Sequence, residues 1–188
     1  MERSVRFTTT PRGVRVAWAE VGSGPVLLAP PGWVSHLGHL WDEPASRGFQ
    51  EALAEGHTFV TLDRPGTGLS DRRRTDFSMD ADLDALEAVI GALGASRMSV
   101  LGISQGGALA CVLAARRPEL VDKLVLYGAF ARGRLVGSPQ VRGAVLALVR
   151  RHWGLGSRTL AQLFVGEGAD DPAVNCAINN TVDCQPGP

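Results

Sequence analysis

Residues 98–107 read Met98-Ser99-Val100-Leu101-Gly102-Ile103-Ser104-Gln105-Gly106-Gly107. Met98 to Gly102 is a short, mostly apolar run, the pattern of a strand covered on both faces. Gln105 to Arg117 is apolar nearly all round, ends in Arg116-Arg117 and stops at Pro118, the pattern of a buried helix. Between them lies Gly102-Ile103-Ser104-Gln105-Gly106, which has the form Gly-x-Ser-x-Gly. A serine at so sharp a strand-to-helix turn takes a strained backbone conformation, and the flanking glycines leave room for the crossing chains. The turn lifts the Ser104 hydroxyl clear of the sheet. The helix start beneath it presents free N–H groups, among them that of Gln105, where an oxyanion would form. A tight glycine turn with an incidental serine is the plainer account. The strand–turn–helix context favours a nucleophile.

The same segment raises a membrane question. Met98 to Ala115 is 18 residues without a charge, between Arg97 and Arg116, long enough to span a bilayer. Gly102, Ser104, Gln105, Gly106 and Gly107 in its middle would break or polarise a lipid-facing helix, so strand, turn and buried helix explain it better. The N-terminus, Met1 to Gly13, has no apolar targeting region.

Outward from the elbow, similar strands recur. Ser4–Thr8 and Val14–Val21 flank the hairpin signal Thr-Pro-Arg-Gly, and Val16 and Trp18 share one face by period two. Val26–Ala29, His57–Asp63 and Leu124–Tyr127 are short and apolar. Helical patterns lie between: a weak one over Gly48–Glu55, and a strong one over Met79–Leu93. In the latter Leu83, Leu86, Ile90 and Leu93 form a stripe, Ser78 caps the start, and Asp80, Asp82 and Asp84 fall in the early turns. Alternating strands and helices predict an α/β fold with a parallel sheet. Pro139–His152 and Ser157–Val165 look helical, with no strand between. Gly166–Pro188 reads as an irregular tail.

Composition narrows the functions. The 188 residues carry 19 basic and 19 acidic side chains, and 45% are hydrophobic, which argues against disorder and against nucleic acid as the main partner. Cys111, Cys176 and Cys184 are too few and too badly spaced for a disulfide framework or a zinc site, so a reducing cytoplasm is the expected compartment. Arg72-Arg73-Arg74 is better read as a solvated loop than as an anion patch.

With these motifs in order, the chain resembles the α/β-hydrolase superfamily over about Ser4 to Val165. Leu28-Ala29-Pro30-Pro31-Gly32-Trp33 is similar to the loop after the third strand that completes the oxyanion hole, with Pro31-Gly32 where many members have His-Gly. Asp63-Arg64-Pro65-Gly66-Thr67-Gly68-Leu69-Ser70-Asp71 resembles the D-x-P-G-x-G-x-S loop after the fourth strand, and Arg117-Pro118-Glu119 with Val121–Leu126 the passage into the sixth. The resemblance implies six strands, the first two antiparallel, then the start of a helical lid. It divides the chain into an incomplete core over 1–135, lid start over 136–165 and tail over 166–188, with the last two core strands missing. It also implies Ser104 as nucleophile and the backbone N–H groups of Trp33 and Gln105 as oxyanion donors.

The triad is not complete in this reading. The superfamily order is Ser, then Asp or Glu, then His. His152 is the only histidine after Ser104 and lies in a helical stretch; His36, His39 and His57 precede the nucleophile. No general base or orienting acid can be named, which suggests a shortened chain, a frameshifted gene or a natural half-domain. Two functions follow: a serine hydrolase acting on a small ester, amide or lactone, impaired by the missing His and Asp, or a non-catalytic ligand-sensing module on the same fold. No cofactor or metal is implied. Leu124–Tyr127 would be an uncharged edge strand, which predicts a dimer or aggregation unless a stretch such as Ala173–Thr181 covers it.

Overall fold

The computed structural model describes residues 1–130, 132–133 and 138–165, in two compact units divided after Ala131. The first unit is built on a six-stranded sheet. Strands β1 (Arg3–Thr9) and β2 (Arg15–Gly22) form a hairpin; β3 (Val26–Ala29), β4 (Thr58–Leu62), β5 (Met98–Ile103) and β6 (Val121–Tyr127) follow. The order across the sheet is β1-β2-β4-β3-β5-β6. Strand β2 runs antiparallel to both β1 and β4, and the remaining pairs are parallel. The α/β architecture expected from the alternation is therefore present, mostly parallel.

Helices cover the two faces. On one side α3 (Met79–Leu93) and α4 (Gln105–Arg116) bury Leu83, Leu86, Val89, Leu109 and Leu113 against Val16, Trp18, Leu28, Val60 and Val100. On the other, α1 (Leu37–Asp42) and α2 (Pro44–Leu53) meet smaller clusters, with Leu37 against Ala17 and Ala19, and Trp41 and Leu53 packed on Ala29 and Phe59. Strand β2 is hence covered on both faces. The period-two reading of Val16 and Trp18 saw only the larger side chains; Ala17 and Ala19 are equally buried because α1 lies close over them.

The local signals account for most helix boundaries. Ser78 caps α3 by accepting from the Ala81 N–H at 3.2 Å, and Gly94 ends it in the left-handed region at φ 65°. Helix α2 begins four residues before the expected Gly48, because Pro44 fits the first turn and the Glu43 carboxylate caps it. The six-residue α1 has no periodic signal long enough to be seen in sequence. Its cap is the His36 ring, whose Nδ1 accepts from the His39 N–H at 3.3 Å. Strand β6 starts at Val121, three residues before the apolar run Leu124–Tyr127.

The second unit, by itself, contains α5 (Pro139–Arg151), capped by Ser138, and α6 (Trp153–Val165). Helix α6 begins four residues before the expected Ser157. The two helices approach closely at Gly156, where a Cβ would stand 2.8 Å from Val149 Cα. The expected tail, 166–188, lies outside the described residues, and with it Cys176, Cys184 and the stretch Ala173–Thr181.

Candidate active site

Ser104 stands between β5 and α4 at φ 51° and ψ −123°, the only non-glycine residue with positive φ among the described residues. Such a conformation costs about 1–3 kcal/mol and persists only where the surroundings enforce it. Here they do. The Ser104 N–H donates to Tyr127 O on β6 at 3.0 Å, and the Ser104 carbonyl accepts from the Gly107 N–H at 3.1 Å. The glycines around the turn are required by contact. A Cβ on Gly102 would sit 2.6 Å from Gly107 Cα, and one on Gly107 would overlap Ala129 Cβ. Ser104 itself is exposed between half-buried Ile103 and Gln105, and its hydroxyl is not spent on capping α4.

Gln105 is the first residue of α4, so its N–H has no intrahelical acceptor. Gly106 lies against the loop after β3: a Cβ there would stand 2.5 Å from Pro30 O and 3.2 Å from Pro31 O. The loop that carries Trp33 is thus pressed against the start of the elbow helix. Trp33 is 42% exposed.

A second loop braces the first. Asp63, fully buried at the end of β4, accepts from the Leu37 N–H at 3.0 and 3.1 Å and from the Leu69 N–H at 2.8 Å. The Arg64 N–H donates to Ser35 Oγ, which also shares a hydrogen bond with Thr67 Oγ1, both at 3.1 Å. The sequence reading places 63–71 as the loop after the fourth strand and gives the carboxylate at its base no role. The available signal was Gly68, where any Cβ would overlap Asp63 Oδ2.

Of the Arg72–Arg74 run, Arg74 is no solvated charge. It is nearly buried and reaches Asp82 at 2.8 Å, where Arg64 also points at 3.4 Å. Burial pulls the Arg64 guanidinium below its ordinary value, opposed by Asp82.

The histidines divide by position. His36 Nδ1 accepts from the His39 N–H, so the neutral ring carries its proton on Nε2 and offers no lone pair to a serine. Burial, then His39, lowers its pKa from the ordinary value. His57 precedes β4, whereas Ser104 follows β5; both strands run parallel to β3, so the two residues lie at opposite ends of the sheet. His152 ends α5 in the second unit. Among the described residues no His, Cys, Asp and Glu group is arranged to hold a metal, and no helix is long and apolar enough to cross a membrane.

Over residues 25–163 the sequence matches the family described as alpha/beta hydrolase fold. An uncharacterized protein of Mycobacterium tuberculosis is 32% identical over 126 residues, 67% of this chain and 35% of that protein. A pimeloyl-[acyl-carrier protein] methyl ester esterase of Nitrosomonas europaea is 38% identical over 105 residues, 56% of this chain and 37% of the esterase. Among solved structures, an esterase from Rhodococcus sp. ECU1013 superposes with a TM-score of 0.75 at 25% identity, covering 94% of this chain and 67% of the esterase. The chain spans about a third of the length of these sequence relatives.

Proposed function

We propose that this chain, which belongs to the alpha/beta hydrolase fold family, is a hydrolase-type protein that uses Ser104 as nucleophile on a small ester, amide or lactone. The observation that carries the proposal is the exposed Ser104 held at φ 51° between strand and helix. Nothing in packing demands a serine there. A hydroxyl at that turn is placed to attack a carbonyl, forming the Oγ–carbon bond as the carbonyl π electrons move onto oxygen and the hydroxyl proton passes to a base. The Gln105 N–H at the start of α4 and the Trp33 N–H in the neighbouring loop would receive that oxyanion, each donor worth about 3 kcal/mol in the transition state. Esterase relatives support hydrolysis of an ester or a related acyl bond.

A nucleophile without a base stays a protonated alcohol. His36 is engaged through Nδ1 and His57 lies at the far end of the sheet, so neither is placed as the base for Ser104. We therefore expect the 188-residue chain alone to hydrolyse esters weakly. That same observation favours a second reading, a ligand-sensing module on the hydrolase fold. An alkyl fluorophosphonate separates the two. Slow labelling that maps to Ser104 and vanishes in Ser104→Ala supports the hydrolase reading; equal labelling of both proteins, or none after prolonged incubation, overturns it. Fast hydrolysis of a p-nitrophenyl ester that Ser104→Ala abolishes would instead show a base supplied from elsewhere in the chain.

A further inference from the structure

We infer that Asp63 is a positioning residue for the oxyanion side of the site, a role that rests on the Ser104 reading above. Its backbone is fixed to β2: the Asp63 N–H donates to Ala17 O at 2.9 Å, and its carbonyl accepts from Ser70 Oγ at 2.7 Å. Ser70 Oγ in turn accepts from the Ala17 N–H at 2.8 Å. The carboxylate therefore leaves the sheet from a rigid base and spends both oxygens on loop amides, those of Leu37 and Leu69. Leu37 is the anchored end of the 30–36 loop. Its side chain is buried against Ala17 and Ala19, and its carbonyl accepts from Arg3 at 2.8 Å.

Trp33 lies between that anchor and Pro30, which touches Gly106 of the elbow. The second tether, Ser35 to the Arg64 N–H and Thr67, holds the same loop two residues beyond Trp33. Burying a carboxylate is a poor way to gain stability, since its desolvation offsets much of what its hydrogen bonds return. It is a good way to fix geometry, because two oxygens set the place of two separate loops at once. Glycine at 68 makes room for the carboxylate, since a Cβ there would overlap Asp63 Oδ2. The consequence at the site is that Trp33 is held relative to Ser104 by residue 63, which touches no reacting atom.

The test uses the whole chain with Asp63→Asn, Thr67→Val and Ser104→Ala. Asparagine keeps one acceptor oxygen but sets an NH2 donor against an N–H. Fluorophosphonate labelling is resolved into reversible binding and the covalent step. Asp63→Asn is expected to slow the covalent step about 100-fold, as for a displaced catalytic group, with reversible binding within about twofold. Hydrogen exchange of the Trp33–Leu37 amides is expected to accelerate while that of 98–110 holds. Thr67→Val removes the hydroxyl that joins Ser35 and donates to Arg64 O while leaving Asp63 in place; it is expected to lose about tenfold, so it carries the test if Asp63→Asn fails to fold.

An unchanged covalent rate in a folded variant overturns the inference. So does a parallel loss of binding and rate with exchange raised throughout, which marks a role in stability only. If the wild-type chain is not labelled at all, the Ser104 reading fails, and the clamp is decided by exchange at Trp33–Leu37: unchanged exchange in Asp63→Asn overturns it as well.

Discussion

Ser104 holds a backbone conformation that glycine would adopt freely, which makes its strain measurable. Ser104→Ala keeps the strained φ and removes the hydroxyl, whereas Ser104→Gly removes both. Relief of about 1–3 kcal/mol, less about 1 kcal/mol for the greater freedom of glycine in the unfolded chain, leaves Ser104→Gly more stable than Ser104→Ala by about 1 kcal/mol. Urea unfolding of the two variants checks this, and a lower midpoint for Ser104→Gly than for Ser104→Ala would show that the turn is not strained. His36 gives a prediction in pH. Its folded pKa lies below the ordinary 6.5, lowered by burial and then by His39, so between the two values the unfolded chain binds more protons. Stability present above pH 6.5 is therefore lost as pH falls through the lower folded value. In His36→Gln the slope of unfolding free energy between pH 7 and 5 should flatten, and the wild-type ring should titrate below 6.5 by NMR.

Helix α3 shows what a charge network asks of an element. Asp82 faces two guanidiniums, Arg64 and Arg74, in a site where all three side chains are no more than 10% exposed. Removing the one acid leaves two buried cations facing each other, so Asp82→Ala is expected to destabilise by about 3–5 kcal/mol. Ser78→Ala, which removes only the cap, should cost about 1 kcal/mol, and thermal denaturation of both variants checks the ranking. The α3 stripe and cap were visible in the sequence because period and capping are local. The same holds for the elbow, where glycine spacing between a strand and a helix encodes the φ of Ser104. Helix α1 was not visible: six residues carry too little periodicity, and its cap is a histidine ring. The solvated-loop reading of Arg72–Arg74 failed at Arg74 because its partner, Asp82, is distant along the chain. Asp63 escaped for the same reason. Its donors, Leu37 and Leu69, come from two loops that meet only in the folded state.

Across the whole chain, the described feature least at ease in water is β6. It pairs with β5 on one side, and no strand lies on its other side among the described residues. Leu124, Val125, Leu126 and Tyr127 are 37–73% exposed, with no charge among them to discourage pairing. A second copy of the chain suits this edge. Antiparallel pairing about Val125 would set Leu124 opposite Leu126 and Lys123 opposite Tyr127, joining apolar to apolar and an ammonium to an aromatic face. Such a pair completes the unpaired ladder of each strand by main-chain hydrogen bonds. We therefore expect the purified chain to dimerise or aggregate at micromolar concentration. Val125→Lys, which puts two like charges opposite each other at the centre of the pair, should return it to a monomer without loss of fold. Light scattering and amide exchange across 121–127 read the outcome together. A scattering mass of twice the chain with slow exchange in β6, both reversed in Val125→Lys, supports the pairing. A monodisperse wild-type monomer sinks it, whether its β6 amides exchange fast or are protected from within the same chain.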